Sequence, residues 1–505
     1  MAREVSARFR RPDGALRPTG FFLTVSLPQE TRKIDPLPAL TNIAPPMYLR
    51  TRFCLALLLA PTCSNAEDLR EHVATSLEKG VAFFQTINSH GGYVYYVTPD
   101  LSQRWGEGPK DADTIEVQPP GTPAVGQSFL RVYQATGNKQ ALTAAREAAA
   151  ALIRGQNKHG GWDHTINFAD LSNETVSFDD NQSQSAISFL LALNRVVQDE
   201  DLSAATQRAL AMMSTTQLSN GGWPHLYPPR GNYHDYATYN DGGINDCIRV
   251  MIEAYRLNKH DPAIERSLRK AARFMMISQL PPPQPGWAQQ YNEFLQPAWA
   301  RTFEPPSVCP AETLRNIQTL IDLYVALGDA TLLEPIPDAL RWLEEVRLPN
   351  GKWARFVEIG TNKALYFDRG RIRVNSVEEL HPERRTGYAY ETDLTAQLAA
   401  ATRRYKKALE LGHSALMKDE DPAVSKDQLA ERLTALSGLV KKIMESQEAS
   451  GAWITRNDRF KATMPEGERW NGQYSTMDRI SSAVFNSHVA LLCEYLELRA
   501  RLDER

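Results

Sequence analysis

Two segments of the chain carry oxygen side chains just before a predicted helix. They are 178–181, which contains Asp180, and 236–241, which contains Asn240 and Asp241. Carboxylate and amide oxygens are the ligands that a hard cation such as Ca²⁺ prefers. Asp and Asn are also common helix N-caps, so capping is the alternative for either segment alone. Because the two segments occupy equivalent places, we expect Asp180, Asn240 and Asp241 to hold a cation.

Basic side chains recur further along the chain, where an anion could bind. Arg301 lies in a Pro-rich segment, and Arg384 and Arg385 end the stretch 341–385, which has ten Lys and Arg against seven Asp and Glu. Arg binds carboxylate and phosphate groups through two parallel hydrogen bonds. A salt-bridged surface is the alternative for any single Arg. The local excess of positive charge favours recognition of carboxylates or phosphates.

A third segment combines aromatic and polar side chains densely: Trp223, Tyr227, Arg230, His234 and Asp235. Aromatic rings beside polar groups suit the flat faces and hydroxyl groups of sugar rings. A packed Pro-rich loop would have the same composition, so sugar binding is one of two interpretations of this segment.

These segments need a scaffold, and a repeat predicts one. A glycine break followed by an aromatic residue recurs about every 65 residues, with one longer interval, which is typical of repeat architectures. The aromatic residues are Tyr93, Trp162, Trp223, Trp287, Trp353 and Trp453. Helical patterns end before the breaks, at about 68–87, 139–155, 203–217, 262–279, 331–346 and 426–446. A second series follows them, at about 121–134, 182–197, 243–257, 310–327, 387–408 and 479–500.

The connections between these helices alternate between short and long. The first to sixth long loops are 91–120, 160–181, 221–242, 286–309, 351–386 and 451–478. In an array of antiparallel helices, all the long loops emerge at one end, and long loops inside a compact domain are usually functional. The sequence therefore predicts an all-α fold, an α/α toroid of helical hairpins, closed or incomplete, whose long loops form a cleft. Helix N-termini at that end favour an anionic ligand. An open α-solenoid is the alternative.

The N-terminal part differs from the rest of the chain. Residues 1–46 lack periodicity and precede a second Met, and we expect them to be an upstream mis-start. Residues 47–66 have a basic flank, a short apolar run and a small-residue end, which are the parts of a secretory signal peptide. A short buried helix is the alternative. We therefore expect a secreted or periplasmic protein whose toroid spans 67–500.

Composition limits the partners of this protein. The full chain has a net charge of −3 at pH 7. Residues 1–66 carry more basic than acidic residues, so the remainder is more acidic and gives no reason to expect a nucleic acid. No apolar run reaches the roughly 18 residues of a membrane span, so we expect no membrane association after leader cleavage. Three cysteines remain beyond residue 66, without metal-ligand spacing.

Several motifs in order resemble the polysaccharide lyase family 10 pectate lyases, also called pectic acid lyases. They are 222–224, 233–235, 240–241, 301–307, 353–356 and 383–388. The resemblance covers roughly 67–390 and weakens beyond 400. It implies an α/α toroid that cleaves α-1,4-linked polygalacturonate by β-elimination with Ca²⁺ as cofactor. It also implies an acidic polysaccharide as partner, and we expect a monomer.

The resemblance also implies roles for individual residues. Arg301 is similar to the family's catalytic arginine, which takes the C5 proton, and Asp180 and Asp241 to acidic residues near the calcium. Arg384 or Arg385 is similar to a clamp for the substrate carboxylate. The substrate-binding residues that we expect are Asp180, Asn181, Trp223, Tyr227, Arg230, His234, Asp235, Arg384, Arg385 and Tyr388.

Two departures from the family pattern leave other functions open. Gln182 to Ser185 replace a Thr-rich stretch, and Trp299 stands where a basic residue is common. A lyase acting on another uronate polymer is therefore one alternative. A terpenoid-cyclase-like toroid shares the Gln, glycine and Trp repeat, although the Arg-bearing loops fit a hydrocarbon poorly. A non-catalytic polysaccharide-binding relative is the third alternative.

Overall fold

Thirteen α-helices organise the part of the chain that the computed structural model describes, residues 64–258, 261–418, 425–465 and 467–504. They are α1 Ser64–Thr86, α2 Thr122–Thr136, α3 Lys139–Arg154, α4 Gln182–Asn194, α5 Glu200–Thr216, α6 Gly243–Leu257, α7 Pro262–Ser278, α8 Pro310–Leu327, α9 Ile336–Glu345, α10 Pro382–Arg385, α11 Thr395–Lys418, α12 Lys426–Glu445 and α13 Ser482–Asp503. The leader predicted for 1–66 lies outside the described residues, except for 64–66 at the start of α1.

Local sequence explains where the helices begin and end. The side chains of Asn138 and Asp199 accept hydrogen bonds from the first turns of α3 and α5. Pro310 opens α8, where a missing N–H group costs nothing. Gly137 ends α2 in the left-handed conformation, with φ of 73°. All twelve predicted helices are confirmed.

One predicted helix begins later than expected. The pattern predicted a start near residue 387, whereas α11 starts at Thr395. The intervening segment is extended instead, because Glu391 and Thr392 pair with Ala354 and Trp353 in a two-stranded sheet.

The helices form two concentric layers. In the inner layer, α2 packs on α4, α4 on α6, α6 on α8 and α8 on α11, and α13 packs on α2. In the outer layer, α1 packs on both α3 and α12. The last hairpin therefore returns to the first, and the predicted α/α toroid is confirmed.

The repeated Gln joins neighbouring hairpins at the glycine breaks. The amide of Gln217 donates to the carbonyl groups of Gly221 and Ser267, at 2.8 and 2.9 Å. At the end of the ring, Gln447 makes the same bonds to Gly451 and Ser76, both at 3.0 Å. Gln156 and Gln279 make equivalent bonds at their breaks, so these Gln residues tie outer helices to their neighbours, and Gln447 closes the ring.

The repeated Trp has a structural role, which corrects one expectation. Trp223 is fully buried, and its indole N–H donates to the carbonyl of Met213 at 2.8 Å. This bond satisfies a carbonyl at the end of a helix, where no intrahelical partner exists. Trp162 and Trp453 bond equivalent carbonyl groups. Trp223 was predicted to bind substrate, and this prediction is wrong because the ring lies in the core.

Short strands run through the long loops, although the helical pattern did not predict them. They are β1 Tyr96–Val97, β2 Arg104–Trp105, β3 Thr114–Glu116, β4 Thr165–Asn167, β5 Val176–Ser177, β6 Leu226–Tyr227, β7 Ala237–Thr238, β8 Gln290–Tyr291, β9 Trp353–Ala354, β10 Phe356–Val357, β11 Ala364–Asp368, β12 Ile372–Val374, β13 Glu391–Thr392, β14 Ile454–Lys461 and β15 Tyr474–Ser481.

These strands pair one long loop with the next. β3 pairs with β4, β5 with β6 and β7 with β8, while the last loop returns to the first in the sheet β14-β15-β1-β2. These pairs join several neighbouring loops at the rim of the cleft.

Two hydrophobic cores support this arrangement. The larger lies between the helical layers and includes the repeated Trp residues. The smaller lies under the fourth and fifth long loops and is built around Phe303, Phe356, Tyr388 and Tyr390. No described helix is long and apolar enough to cross a membrane.

Replacement of Gln447 by Leu should destabilise the toroid. The change removes two donated bonds and leaves the hydroxyl of Ser76, which donates to Gln447 at 2.8 Å, without its acceptor. We expect a loss of about 3 kcal/mol in the free energy of unfolding, measured by urea denaturation. Gln140→Leu is the control, because this exposed amide makes one surface bond to Gln85. Equal losses in both variants would contradict the role of Gln447 in ring closure.

Candidate active site

Two equivalent turns bring the acidic side chains together at the loop end of the inner helices. The 3₁₀ turns Asp179–Asn181 and Asn240–Gly242 precede α4 and α6 and pack on each other. Asp180 and Asp241 both adopt left-handed backbone angles, with φ of 46° and 49°. Such angles are uncommon for residues other than Gly and cluster at functional sites. The same backbone geometry therefore aims both carboxylates at one point.

Three carboxylates converge there, since Asp179 joins Asp180 and Asp241. One oxygen of each lies within 4.8 Å of the others. Burial raises the pKa of Asp180 to about 9, and the charges of Asp179 and Asp241 add to the rise. Burial and Asp179 also raise the pKa of Asp241. This electrostatic cost is what a bound divalent cation would relieve.

Polar neighbours fix the orientation of this cluster. His225 is buried, with Nδ1 3.9 Å from Asp179 and Nε2 3.1 Å from Gln290. Burial lowers the pKa of His225, but the interaction with Asp179 outweighs burial and raises the pKa overall. Asn240 donates to Asp241 at 2.6 Å and accepts from Arg355 at 3.3 Å. Asn240, a predicted metal ligand, therefore orients the carboxylate of Asp241.

Arg301 lies beside the carboxylates and is paired with Glu304. Its Nε and Nη2 donate to the two carboxylate oxygens of Glu304, at 2.8 and 2.5 Å. Although burial opposes it, the charge of Arg301 lowers the pKa of Glu304 to about 2. Burial acts to lower the pKa of Arg301. The charge of Glu304 outweighs burial, so the pKa of Arg301 is raised overall. The pair fixes two of the three guanidinium nitrogens.

Arg384 shares aromatic neighbours with Arg301, whereas Arg385 does not. The Arg384 guanidinium lies 4.2 Å from the ring centre of Phe303 and 5.1 Å from that of Tyr388, and both rings also contact Arg301. Arg385 is exposed and donates to the carbonyl of Glu378 at 3.4 Å. Of the two arginines left open by the sequence, Arg384 is therefore the one placed beside Arg301.

Tyr388 is buried between the charged groups. Its hydroxyl donates to Glu304, and the guanidinium of Arg355 lies 4.3 Å from the ring centre. Burial acts to lower the pKa of Arg355, but the charges of Tyr388 and Asp241 outweigh burial and raise the pKa overall. Tyr388, a predicted substrate residue, thus positions Glu304 and stacks on Arg355.

Four residues of this site were not predicted: Asp179, His225, Glu304 and Arg355. Asp179, Glu304 and Arg355 lie inside the segments singled out from the sequence, and His225 directly follows one of them, so their positions carried the signal. Glu304 follows Arg301 by three residues in the chain, and the two side chains form an ion pair. The convergence of the four could not be predicted, because it depends on contacts between separate loops.

The remaining predicted residues line the third long loop and its neighbours. Asp235 accepts the backbone N–H groups of Arg230 and Gly231, at 2.7 and 2.6 Å, so it shapes its own loop. The side chain of Arg230 donates to Thr175 at 2.9 Å. His234 stacks on Tyr233, with ring centres 4.0 Å apart.

Two further predicted residues have partners within the described chain. The ring of Tyr227 meets that of His159 edge-on at 5.1 Å. Asn181 accepts from Arg249 at 2.9 Å.

A cavity of about 440 Å³ is lined in part by Ala300, which directly precedes Arg301 in the chain, and by several aromatic side chains. Its lining includes Tyr233, Tyr236, Trp299 and Arg371. The guanidinium of Arg371 lies 4.7 Å from the ring centre of Trp299. Rings and cations in one cavity suit a sugar that bears a carboxylate. This composition does not suit the hydrocarbon substrate of a terpenoid cyclase.

Comparison with known proteins agrees with this chemistry. The family model described as pectic acid lyase matches residues 169–352 and 349–399. No curated protein sequence matches the chain.

Two solved structures are similar to this one. A variant family 10 polysaccharide lyase from Cellvibrio cellulosa, in complex with trigalacturonic acid, is 18% identical, with 57% of this chain and 98% of that chain covered and a TM-score of 0.44. An α-1,6-mannanase from Salegentibacter is 12% identical, with coverage of 86% and 99% and a TM-score of 0.40. The family-model match bears out the predicted resemblance to pectic acid lyases over residues 169–399, which we call the pectic acid lyase domain.

Proposed function

We propose that this protein is a secreted or periplasmic pectate lyase that cleaves polygalacturonate by β-elimination. The observation that carries the proposal is the placement of Arg301 beside three converging carboxylates, in a domain of the pectic acid lyase family. The electrostatic link between Arg301 and Asp241 supports a single reaction centre. We further propose that the enzyme acts as a monomer and that the acidic polymer is its partner.

Asp179, Asp180 and Asp241 would hold calcium. Their chemistry fits, because Ca²⁺ takes oxygen ligands and three carboxylates provide several. When bound, the ion would neutralise negative charge that develops on the substrate carboxylate as the C5 proton leaves. Asn240 donates to Asp241 and accepts from Arg355, and these bonds orient the Asp241 carboxylate.

Arg301 is the base in this proposal. In its neutral form, Nη1 takes the C5 proton, the electron pair forms the C4–C5 double bond, and the C4–O4 bond breaks. Water protonates the departing oxygen. Nη1 has no hydrogen-bond partner among the described residues, while Nε and Nη2 bind Glu304. Because Glu304 raises the pKa of Arg301, the neutral form is scarce and the reaction should need alkaline pH.

The activity prediction follows directly. Wild-type protein with Ca²⁺ should release unsaturated product from polygalacturonate, followed by ultraviolet absorbance, with a rate that rises about tenfold per pH unit below the pKa of the base. Arg301→Ala should lower the rate by at least about 100-fold. Arg385→Ala is the control, since this residue is exposed and its guanidinium donates to the carbonyl of Glu378. Unchanged activity of the Arg301→Ala variant would contradict the assignment of Arg301 as the base. A wild-type protein that is inactive on polygalacturonate at every Ca²⁺ concentration would contradict the proposed function.

Calcium should stabilise the folded protein through Asp180. Without metal, the raised pKa of Asp180 means that stability is lost as pH rises from 3.8 toward about 9. Metal-free Asp180→Asn should therefore unfold at a higher temperature than metal-free wild type at pH 8. Calcium at 100 times its dissociation constant should add about 2.7 kcal/mol to wild type and little to the variant.

The control for calcium binding is Asp170→Asn, because Asp170 is an exposed carboxylate of the same long loop. It should respond to calcium as wild type does. A full calcium response in Asp180→Asn would exclude this residue as a ligand.

Glu304→Gln tests the ion pair that holds Arg301. The pKa of Glu304 falls from 4.5 to about 2 on folding, so the pair stabilises the protein above pH 4.5, and this contribution is lost as pH falls through 2. We expect the variant to lose about 3 kcal/mol in the free energy of unfolding at pH 7. The difference from wild type should shrink toward pH 2. Asp338→Asn, which breaks the exposed pair with Arg341, should cost less than about 1 kcal/mol.

A further inference from the structure

The C-terminal β-hairpin lies outside the pectic acid lyase domain, yet it reaches the loop that carries Arg384. Strands β14 and β15 form this hairpin, and β15 also pairs with β1 in the first long loop. Between the two strands, Arg469 donates to Glu383 at 2.6 Å and to Asp368 at 2.5 Å. These bonds anchor the hairpin to the fifth loop, so it spans the rim from the first loop to the site around Arg384.

Strand register defines the face that meets this loop. Lys461 lies opposite Tyr474, and Arg459 lies opposite Thr476. Residues directly opposite in an antiparallel pair share a face, and alternate residues along a strand share it as well. Lys461, Tyr474, Arg459 and Thr476 therefore form one face, which we call the hairpin face.

Lys461 places the hairpin face against the fifth loop. Its ammonium group lies 2.8 Å from the position that a Cβ on Gly387 would take, so the glycine leaves room for it. Burial and the charge of Arg384 lower the pKa of Lys461. The described part of the chain offers this ammonium no hydrogen bond or ion pair. It has a contact with the ring of Trp470, at 5.1 Å.

The junction of hairpin and loop carries an excess of positive charge. Arg369, Arg384 and Arg469 all donate to Glu383. Asp368 is the other carboxylate of the cluster, and Lys461 is the fourth cation. Nε and Nη1 of Arg384 are buried without a hydrogen-bond partner among the described residues. Four cations against two carboxylates leave a place that attracts an anion.

Aromatic rings lie beside these cations. Tyr474 is 39% exposed, and the guanidinium of Arg459 lies 3.7 Å from its ring centre. Trp470 meets Tyr474 edge-on at 5.0 Å. An exposed ring with cations at its side can contact a sugar ring and its carboxylate at the same time.

We propose that the hairpin face is a further subsite, where Lys461 and Arg459 bind carboxylates of uronate residues beyond the reacting sugar and Tyr474 contacts the ring. The ligand class is an acidic oligosaccharide, chosen by the charge excess and by continuity with Arg384. The inference rests on the proposed function for the identity of the polymer. It assigns to this enzyme a longer binding site than the pectic acid lyase domain provides.

The test compares oligogalacturonates of increasing length at fixed ionic strength and calcium. Lys461→Ala should lower kcat/KM about tenfold on long oligomers, through a higher KM, because one charge-assisted bond is lost. On the shortest oligomer that is cleaved, the change should stay below about twofold. Lys461→Arg should restore most of the loss. The melting temperature of each variant reports whether the fold is intact.

The matched control is Arg456→Ala. Arg456 belongs to the same hairpin and carries the same charge, but its guanidinium is bound to Asp478 and Glu448, at 2.8 and 2.7 Å. The Arg456→Ala variant should therefore have the same kcat/KM as wild type on oligogalacturonates of every length. An equal loss of kcat/KM in the two variants would mean that the hairpin attracts the polymer only through its overall charge, and this result would overturn the proposal. A loss by Lys461→Ala that is the same at all lengths, or no loss at all, would also overturn it.

Binding separates this proposal from the lyase proposal. Calorimetric titration of polygalacturonate into wild type and Lys461→Ala needs no turnover. Weaker binding by the variant supports the subsite even if no cleavage is detected, in which case only the lyase proposal fails. Cleavage by wild type with equal binding by both proteins overturns the subsite alone. A wild type that neither binds nor cleaves the polymer overturns both.

Discussion

The bond from Gln447 to Ser76 is the constraint on which the ring depends. Gln156, Gln217 and Gln279 bond neighbours that follow them in sequence, whereas this bond joins the last glycine break to the first outer helix. Gly80 makes the closure possible, because a Cβ there would lie 2.7 Å from the ring of Trp453. With the ring closed, α13 packs on α2, and the loop ends of the inner helices face a common space.

Closure explains why the site can hold so much unfavourable charge. The turns before α4 and α6 are neighbours only because these helices are neighbours in the ring. Each turn holds its Asp in a left-handed conformation that costs free energy, and burial adds to the cost by opposing ionisation. The scaffold must supply this free energy, since Asp180 and Asp241 repel each other. A rigid ring with two layers of packed helices can do so.

The sequence predicted the scaffold well because helical periodicity and the glycine breaks are local signals. Arg301, Asp180 and Asp241 could be singled out from the sequence because they lie in distinctive motifs, and their roles stay predictions. Trp223 was misassigned because an aromatic residue next to a glycine break looks the same whether its ring faces a sugar or the core. Glu304 was missed for the opposite reason: its role depends on a bond to Arg301 and on Tyr388, which comes from another loop.

The electrostatic balance of the site extends beyond the pectic acid lyase domain. Glu383 is buried, and its pKa falls to about 2 because hydrogen bonds from Arg369 and Arg469 and the charge of Arg384 outweigh its burial. Arg469 comes from the hairpin, outside residues 169–399. Without it, Glu383 would rely on Arg369 and Arg384 alone, and the position of Arg384 beside Phe303 would be less constrained. The domain therefore supplies Arg301 and the three carboxylates of the proposed site, and the C-terminal hairpin helps to set the orientation of Arg384 next to Arg301.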